Sequence, residues 1–167
     1  DLKPRSLTLP KSSWGTSAQM WWDSDLAKWI EAACYSLTTH PDAGLEAQVD
    51  ELIGKLSQAQ QPDGYLNSYF SAHEPEGRFT NERDLHELYC AGHLVEAAVA
   101  HYEATGKRSL LEVVERYLEL LATVYGPNEG QKHGYPGHQE LELALLKLYR
   151  TSGKKQYLEF AQYLIDE

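Results

Sequence analysis

Three short stretches of the chain concentrate side chains that can do chemistry. They are Trp21-Trp22-Asp23-Ser24-Asp25, Arg83-Asp84-Leu85-His86-Glu87-Leu88-Tyr89 and His133-Gly134-Tyr135-Pro136-Gly137-His138-Gln139-Glu140. Between them they set indole and phenol rings beside imidazole, carboxyl and amide groups. That mixture suits a saccharide, whose C–H faces stack on aromatic rings and whose hydroxyls need directional donors and acceptors. His86 and His138 stand out, because each falls where a helix begins. There the positive end of the helix favours a neutral imidazole that both donates and accepts. Plainer readings stand beside this one. The aspartates can be helix caps, Trp21 and Trp22 can be packing, and His86 and His138 can be capping or core-edge residues. His40, His73, His93, His101 and His133 read as structural or solvent-facing.

Other chemistries leave no trace. The sequence has no Gly-x-Ser-x-Gly, phosphate loop, dinucleotide fingerprint or His-Glu-x-x-His, and no Cys-x-x-Cys pair. His86 and His93 lie two helical turns apart, too far to share a metal without a third ligand. Carboxylates are too plentiful for spacing alone to pick out a general acid and base. The chain has 167 residues and a formal net charge of −10, which disfavours nucleic acid or an anionic membrane as partner. No apolar run approaches the ~18–20 residues that span a bilayer. Asp1–Pro10 lacks the apolar core of a secretory signal, and the two cysteines, Cys34 and Cys90, read as buried thiols of a reducing, cytoplasmic compartment.

The elements that must position these residues are helical throughout. Residues 1–20 read as an irregular arm, and residues 21–167 as one domain. Apolar residues at i, i+3, i+4 spacing predict helices from about 26 to 37 and 43 to 59. A long loop is expected from Tyr65 to about Arg83. A third helix should begin at Asp84, where Asp84-Leu85-His86-Glu87 has the form of a capping box, and end at Gly106. Further helices are expected at about 109–124, 138–151 and from 154 onward, with no strand. The pairs look related: Tyr102-Glu103-Ala104-Thr105-Gly106-Lys107-Arg108 matches Tyr149-Arg150-Thr151-Ser152-Gly153-Lys154-Lys155 at an offset of 47. The first helix of each pair is apolar nearly all round, so it must be buried on several sides, and the second carries more charge. Three αα-hairpins with inner helices wrapped by outer ones predict an all-α fold of the α/α-toroid kind, an open arc with raw apolar edges.

The motifs resemble those of glycoside hydrolase family 127, the β-L-arabinofuranosidase type. The resemblance rests on Trp22-Asp23-Ser24-Asp25 with Lys28-Trp29-Ile30-Glu31-Ala32, and on Gln60 with Asp63-Gly64-Tyr65-Leu66-Asn67. It rests most on His86-Glu87-Leu88-Tyr89-Cys90-Ala91-Gly92-His93-Leu94 and Gly134-Tyr135-Pro136-Gly137-His138-Gln139-Glu140. It covers about Trp21 to Glu167. One departure is Arg78-Phe79, where many relatives have Arg-Trp.

The resemblance implies a retaining exo-glycosidase with an (α/α)6 barrel followed by β-sandwich domains, and the three hairpins of this all-α chain would be half of that (α/α)6 barrel. It implies a zinc-bound cysteine thiolate as nucleophile and a glutamate as acid/base, both expected beyond residue 167. Neither Cys34 nor Cys90 lies in the nucleophile motif, so no catalytic or metal-binding residue is expected in this chain, and zinc is expected only in the complete enzyme. His86 and His138 correspond to the histidines that hydrogen-bond the terminal sugar. Asp23, Asp25, Tyr65, Asn67, Tyr135 and Gln139 are further substrate-binding candidates at the same mouth. The implied partners are a carbohydrate and the remainder of the same polypeptide. Two alternatives stay open: a non-catalytic carbohydrate-binding α/α module, and another α/α-toroid carbohydrate enzyme.

Overall fold

The structure, a computed structural model, describes residues 20–167; the arm read over 1–20 lies, Met20 apart, outside the described residues. Seven α-helices follow: α1 (Trp22–Thr39), α2 (Ala43–Ala59), α3 (Ser68–His73), α4 (Glu87–Thr105), α5 (Ser109–Val124), α6 (Glu140–Ser152) and α7 (Lys155–Asp166). The described residues form no strand, only one isolated bridge between Tyr125 and Lys132. The expected all-α class and the three hairpins α1/α2, α4/α5 and α6/α7 are observed.

α4 is the centre. It packs against α1 on one flank, α6 on the other and α5 behind. Thirteen of its nineteen residues are buried, so it is covered around most of its girth, as its sequence demanded. Small residues make this possible: Ala91, Gly92, Ala97, Ala98 and Ala100 admit the neighbouring helices closely, while Leu88, Leu94 and Val95 fill the remaining space. Each such branched side chain contributes about 1.5–3 kcal/mol by leaving water. The outer α5 instead buries one stripe (Leu110, Leu111, Val113, Val114, Tyr117, Leu118, Leu121) and turns its charged residues outward. The repeated turn is real. Gly106 N–H donates to Tyr102 O and Gly153 N–H to Tyr149 O, each at 2.8 Å, and both glycines are left-handed.

The large apolar helix residues left exposed are Trp29 and Tyr35 on α1, Leu143 and Leu146 on α6, and Leu158 and Ile165 on α7. None lies on α2, α4 or α5. The arc is therefore finished in its middle and raw at its two ends.

Three expectations need correction. The loop from Tyr65 to Arg83 contains the short helix α3 and a 3-10 turn at Pro75–Gly77. Asp23 organises α3 from 45 residues away, its carboxylate accepting from Ser68 N at 2.7 Å and Ser68 Oγ at 2.5 Å. The helix expected from Asp84 begins at Glu87 instead. No capping box forms there. The Asp84 carboxylate takes Arg83 and Asn81, and Glu87 is buried, accepting from the Tyr65 hydroxyl and, at 2.7 Å, from Phe79 N. The helix expected from His138 begins at Glu140, with Gln139 at its N-cap.

Candidate functional site

The two segments that enter α4 and α6 carry the histidines, and glycines let these segments touch. A Cβ on Gly137 would overlap the carbonyl oxygen of Arg83. One on Gly134 would come within 2.5 Å of Glu82 Oε1, and Gly134 has φ +152, a region that L side chains rarely adopt. The Gly-Tyr-Pro-Gly run is thus what allows the approach to α6 to lie directly on the approach to α4.

His86 sits at the N-cap of α4 in a left-handed conformation (φ 58, ψ 18), uncommon for a residue with a Cβ. Its Nδ1 lies 2.7 Å from Asp84 O. A carbonyl only accepts, so Nδ1 carries the proton, and in the neutral ring Nε2 presents its lone pair. The backbone at His86 and this bond together aim the ring. Its centroid lies 5.1 Å from that of His138, 4.9 Å from that of Trp21 and 5.7 Å from that of Tyr89. Tyr89 also meets His138 at 5.1 Å, and its hydroxyl accepts from Lys28 Nζ at 2.7 Å. Two imidazoles, a phenol and an indole edge form one contiguous patch at the N-terminal ends of the inner helices.

Tyr135, Gln139, His138 and Asp25 are exposed near these helix starts. The fold takes up the other candidates. Tyr65 is fully buried, with its hydroxyl on Glu87 and the Arg78 guanidinium 3.8 Å above its ring. Asn67 is buried and caps α3, its Oδ1 accepting from Phe70 N. Asp23 is committed to Ser68, and burial pushes its carboxyl above the ordinary range. These three brace the site from within instead of facing its mouth, because each spends its carboxylate, hydroxyl or carbonyl oxygen on an internal partner. Tyr89 and Lys28 lie in motifs named above but were not among the substrate-binding candidates. Tyr89 lies three residues beyond His86, one helical turn on, which was a usable signal. Lys28 arrives from α1, 61 residues away, and gave none.

A buried polar network stands behind Tyr89. His93 packs edge-on beneath the Tyr89 ring at 4.5 Å. Its Nδ1 is 3.0 Å from Glu140 Oε1 and 3.6 Å from Glu96 Oε2, and Lys147 donates to Glu96 Oε1. Two carboxyls this close cannot both ionise freely. Burial and the neighbouring Glu96 push Glu140 up to about 8, while His93 and Lys147 hold Glu96 down to about 2. His93, Glu96 and Glu140 place possible metal-ligand atoms within 4.8 Å of one another, and Lys147 already pairs with Glu96 Oε1. The cysteines do not fit the thiolate zinc site that the resemblance implies. Cys90 is buried with its thiol 3.5 Å from Met20 O, and burial drives its pKa well up. Cys34 is buried in α1, and its thiol is raised to about 11. No described helix is long and apolar enough to cross a membrane.

Comparison with known proteins agrees with this architecture. Residues 4–167 match the model of the β-L-arabinofuranosidase GH127 catalytic domain, and the chain belongs to that family. It is 45% identical over 150 residues to a non-reducing end β-L-arabinofuranosidase of Bifidobacterium longum subsp. longum, covering 86% of this chain and 22% of that protein. A crystal structure of a GH127 β-L-arabinofuranosidase from Geobacillus stearothermophilus T6 superposes with TM-score 0.86 at 55% identity, over 88% of this chain and 23% of the other. A GH127 β-arabinofuranosidase structure superposes at 0.84 with 38% identity, over 94% and 26%. The chain therefore spans about a quarter of the length of these relatives.

Proposed function

We propose that this chain is the N-terminal segment of the catalytic barrel of a retaining exo-glycosidase that removes terminal β-L-arabinofuranosyl units. Its own contribution is the sugar-holding half of the pocket. The observation that carries this reading is the pair of imidazoles 5.1 Å apart, residues 52 apart in sequence brought together from two hairpins. The 45% identity to a β-L-arabinofuranosidase supports the choice of substrate. His86 and His138 hydrogen-bond sugar hydroxyls, and Trp21 and Tyr89 offer ring faces and edges to its C–H groups. Tyr135, Gln139 and Asp25 border the same mouth. A nucleophilic cysteine, an acid/base glutamate and a zinc ion belong, in this reading, to polypeptide outside the chain.

The raw ends of the arc favour this over a free-standing binding module. A module would need to cover Trp29, Tyr35, Leu143 and Leu146 some other way. The test uses the complete protein with an aryl β-L-arabinofuranoside. His86→Ala and His138→Ala should each lower kcat/KM by about 10–100-fold, the worth of one or two hydrogen bonds to a polar ligand. Residues 1–167 alone should give no turnover. Hydrolysis by this segment, or unchanged kcat/KM in both variants, overturns the assignment.

A further inference from the structure

Resting on the reading that the imidazole pair holds sugar, we propose that Glu140 is a positioning residue for His138, seating the start of α6 on α4 through His93 and Glu96. His138 lies two residues before Glu140, outside the helix, so the first turn of α6 decides where its ring goes. That turn is pressed onto α4. A Cβ on Gly92 would come within 2.8 Å of Leu141 N and 2.9 Å of the Glu140 carbonyl carbon, so only glycine admits it. The Glu140 side chain then reaches into α4, 3.0 Å from His93 Nδ1.

His93 lies under Tyr89, the residue whose ring meets both site imidazoles. One anchor therefore serves two walls of the patch: Glu140 ties the His138 approach to the same imidazole that supports Tyr89. Lys147, on the same helix as Glu140 and two turns further on, closes the arrangement from the other side by holding Glu96. The charged and titratable groups that face Glu140 are Glu96 and His93 from α4, Lys147 from α6 and Glu31 from α1. Three of the four carboxyl and ammonium charges in this set are negative if Glu140 ionises. The contact between α4 and α6 is then closest while Glu140 keeps its proton.

The experiment compares Glu140→Gln and Glu140→Ala with wild type in the complete protein. Gln keeps the shape and neutrality of the protonated acid. At about pH 6 it should leave KM within about twofold, whereas Glu140→Ala should raise KM about tenfold or more with a smaller change in kcat. Wild-type KM should rise above about pH 8, and the Gln variant should lack that rise. Crystal structures of both variants supply a readout free of substrate: the 5.1 Å His86–His138 separation should persist in Gln and be lost in Ala. An Ala variant with unchanged ring separation and KM sinks the proposal, as does a Gln variant as damaged as Ala. If wild type hydrolyses no β-L-arabinofuranoside yet the ring separation follows Glu140, the proposed function fails and the positioning role stands.

Discussion

At the scale of single residues, the chain separates groups exposed at the imidazole patch from groups sealed into the fold, and residue type does not reveal which is which. Tyr65 and Tyr135 are both phenols beside conspicuous motifs, yet one is sealed in the core and the other half exposed. Tyr65→Phe leaves Oε1 of the buried Glu87 without its hydroxyl partner, while Phe79 N keeps Oε2. It should lower stability by about 1–3 kcal/mol in a denaturant melt and leave KM unchanged. His86 poses the opposite problem, since its backbone is left-handed and its ring is aimed. Asn tolerates that backbone region better than most residues. His86→Asn should therefore unfold at the wild-type denaturant concentration and still lose kcat/KM, separating ring chemistry from backbone strain. The sequence singled out His86 and His138, because two imidazoles open two apolar helices. It did not show that Asp23, Tyr65 and Asn67 face inward, because their partners (Ser68, Glu87, Phe70) are set by tertiary contacts and local hydrogen bonds that compete with a role at the mouth.

At the scale of elements, legibility followed locality. α5 was readable to its ends because its stripe, its preceding Gly106 turn and its trailing Gly126-Pro127 are all local signals. α3 was missed because a carboxylate on α1 initiates it. The apparent capping box at Asp84 misled because Glu87 was claimed by Tyr65 and Phe79. Glycines in the segments before the helices carry as much of the site as the helices do. Gly137→Ala drives a methyl into Arg83 O, so it should part the two histidines and raise KM about tenfold or more. The α4–α6 carboxyl pair makes stability depend on pH. Glu140 holds its proton up to about 8, against an ordinary 4.5, so the folded state binds a proton that the unfolded chain has released. That contribution is fully present below about 4.5 and lost as pH rises toward 8. Glu96 runs the other way: its contribution is present above 4.5 and lost as pH falls toward 2. Glu140→Gln should therefore flatten the fall in urea midpoint between pH 5 and 8 and leave the acid limb in place.

At the scale of the whole molecule, the fold class was legible from periodicity and the repeated Tyr-x-x-x-Gly-Lys turn, because helical hairpins are built from near neighbours. The open arc was legible too, since inner helices apolar all round need covering on both flanks. α4 has that cover, whereas α1 and α6 leave Trp29, Tyr35, Leu143 and Leu146 bare. Residues 1–167 in isolation should bind a hydrophobic dye strongly or self-associate, and the complete protein should do neither. Equal dye binding by both would show that nothing covers these faces. The placement of the imidazole pair has a consequence for biogenesis. Both rings, the approach to α4, the glycine-bearing approach to α6 and the carboxyl anchor lie between Glu82 and Lys147. A ribosome making this chain can assemble that patch as soon as α6 clears the exit tunnel. Nascent chains stalled once α6 has emerged should already protect α4 from protease, so the two imidazoles meet while translation is still under way.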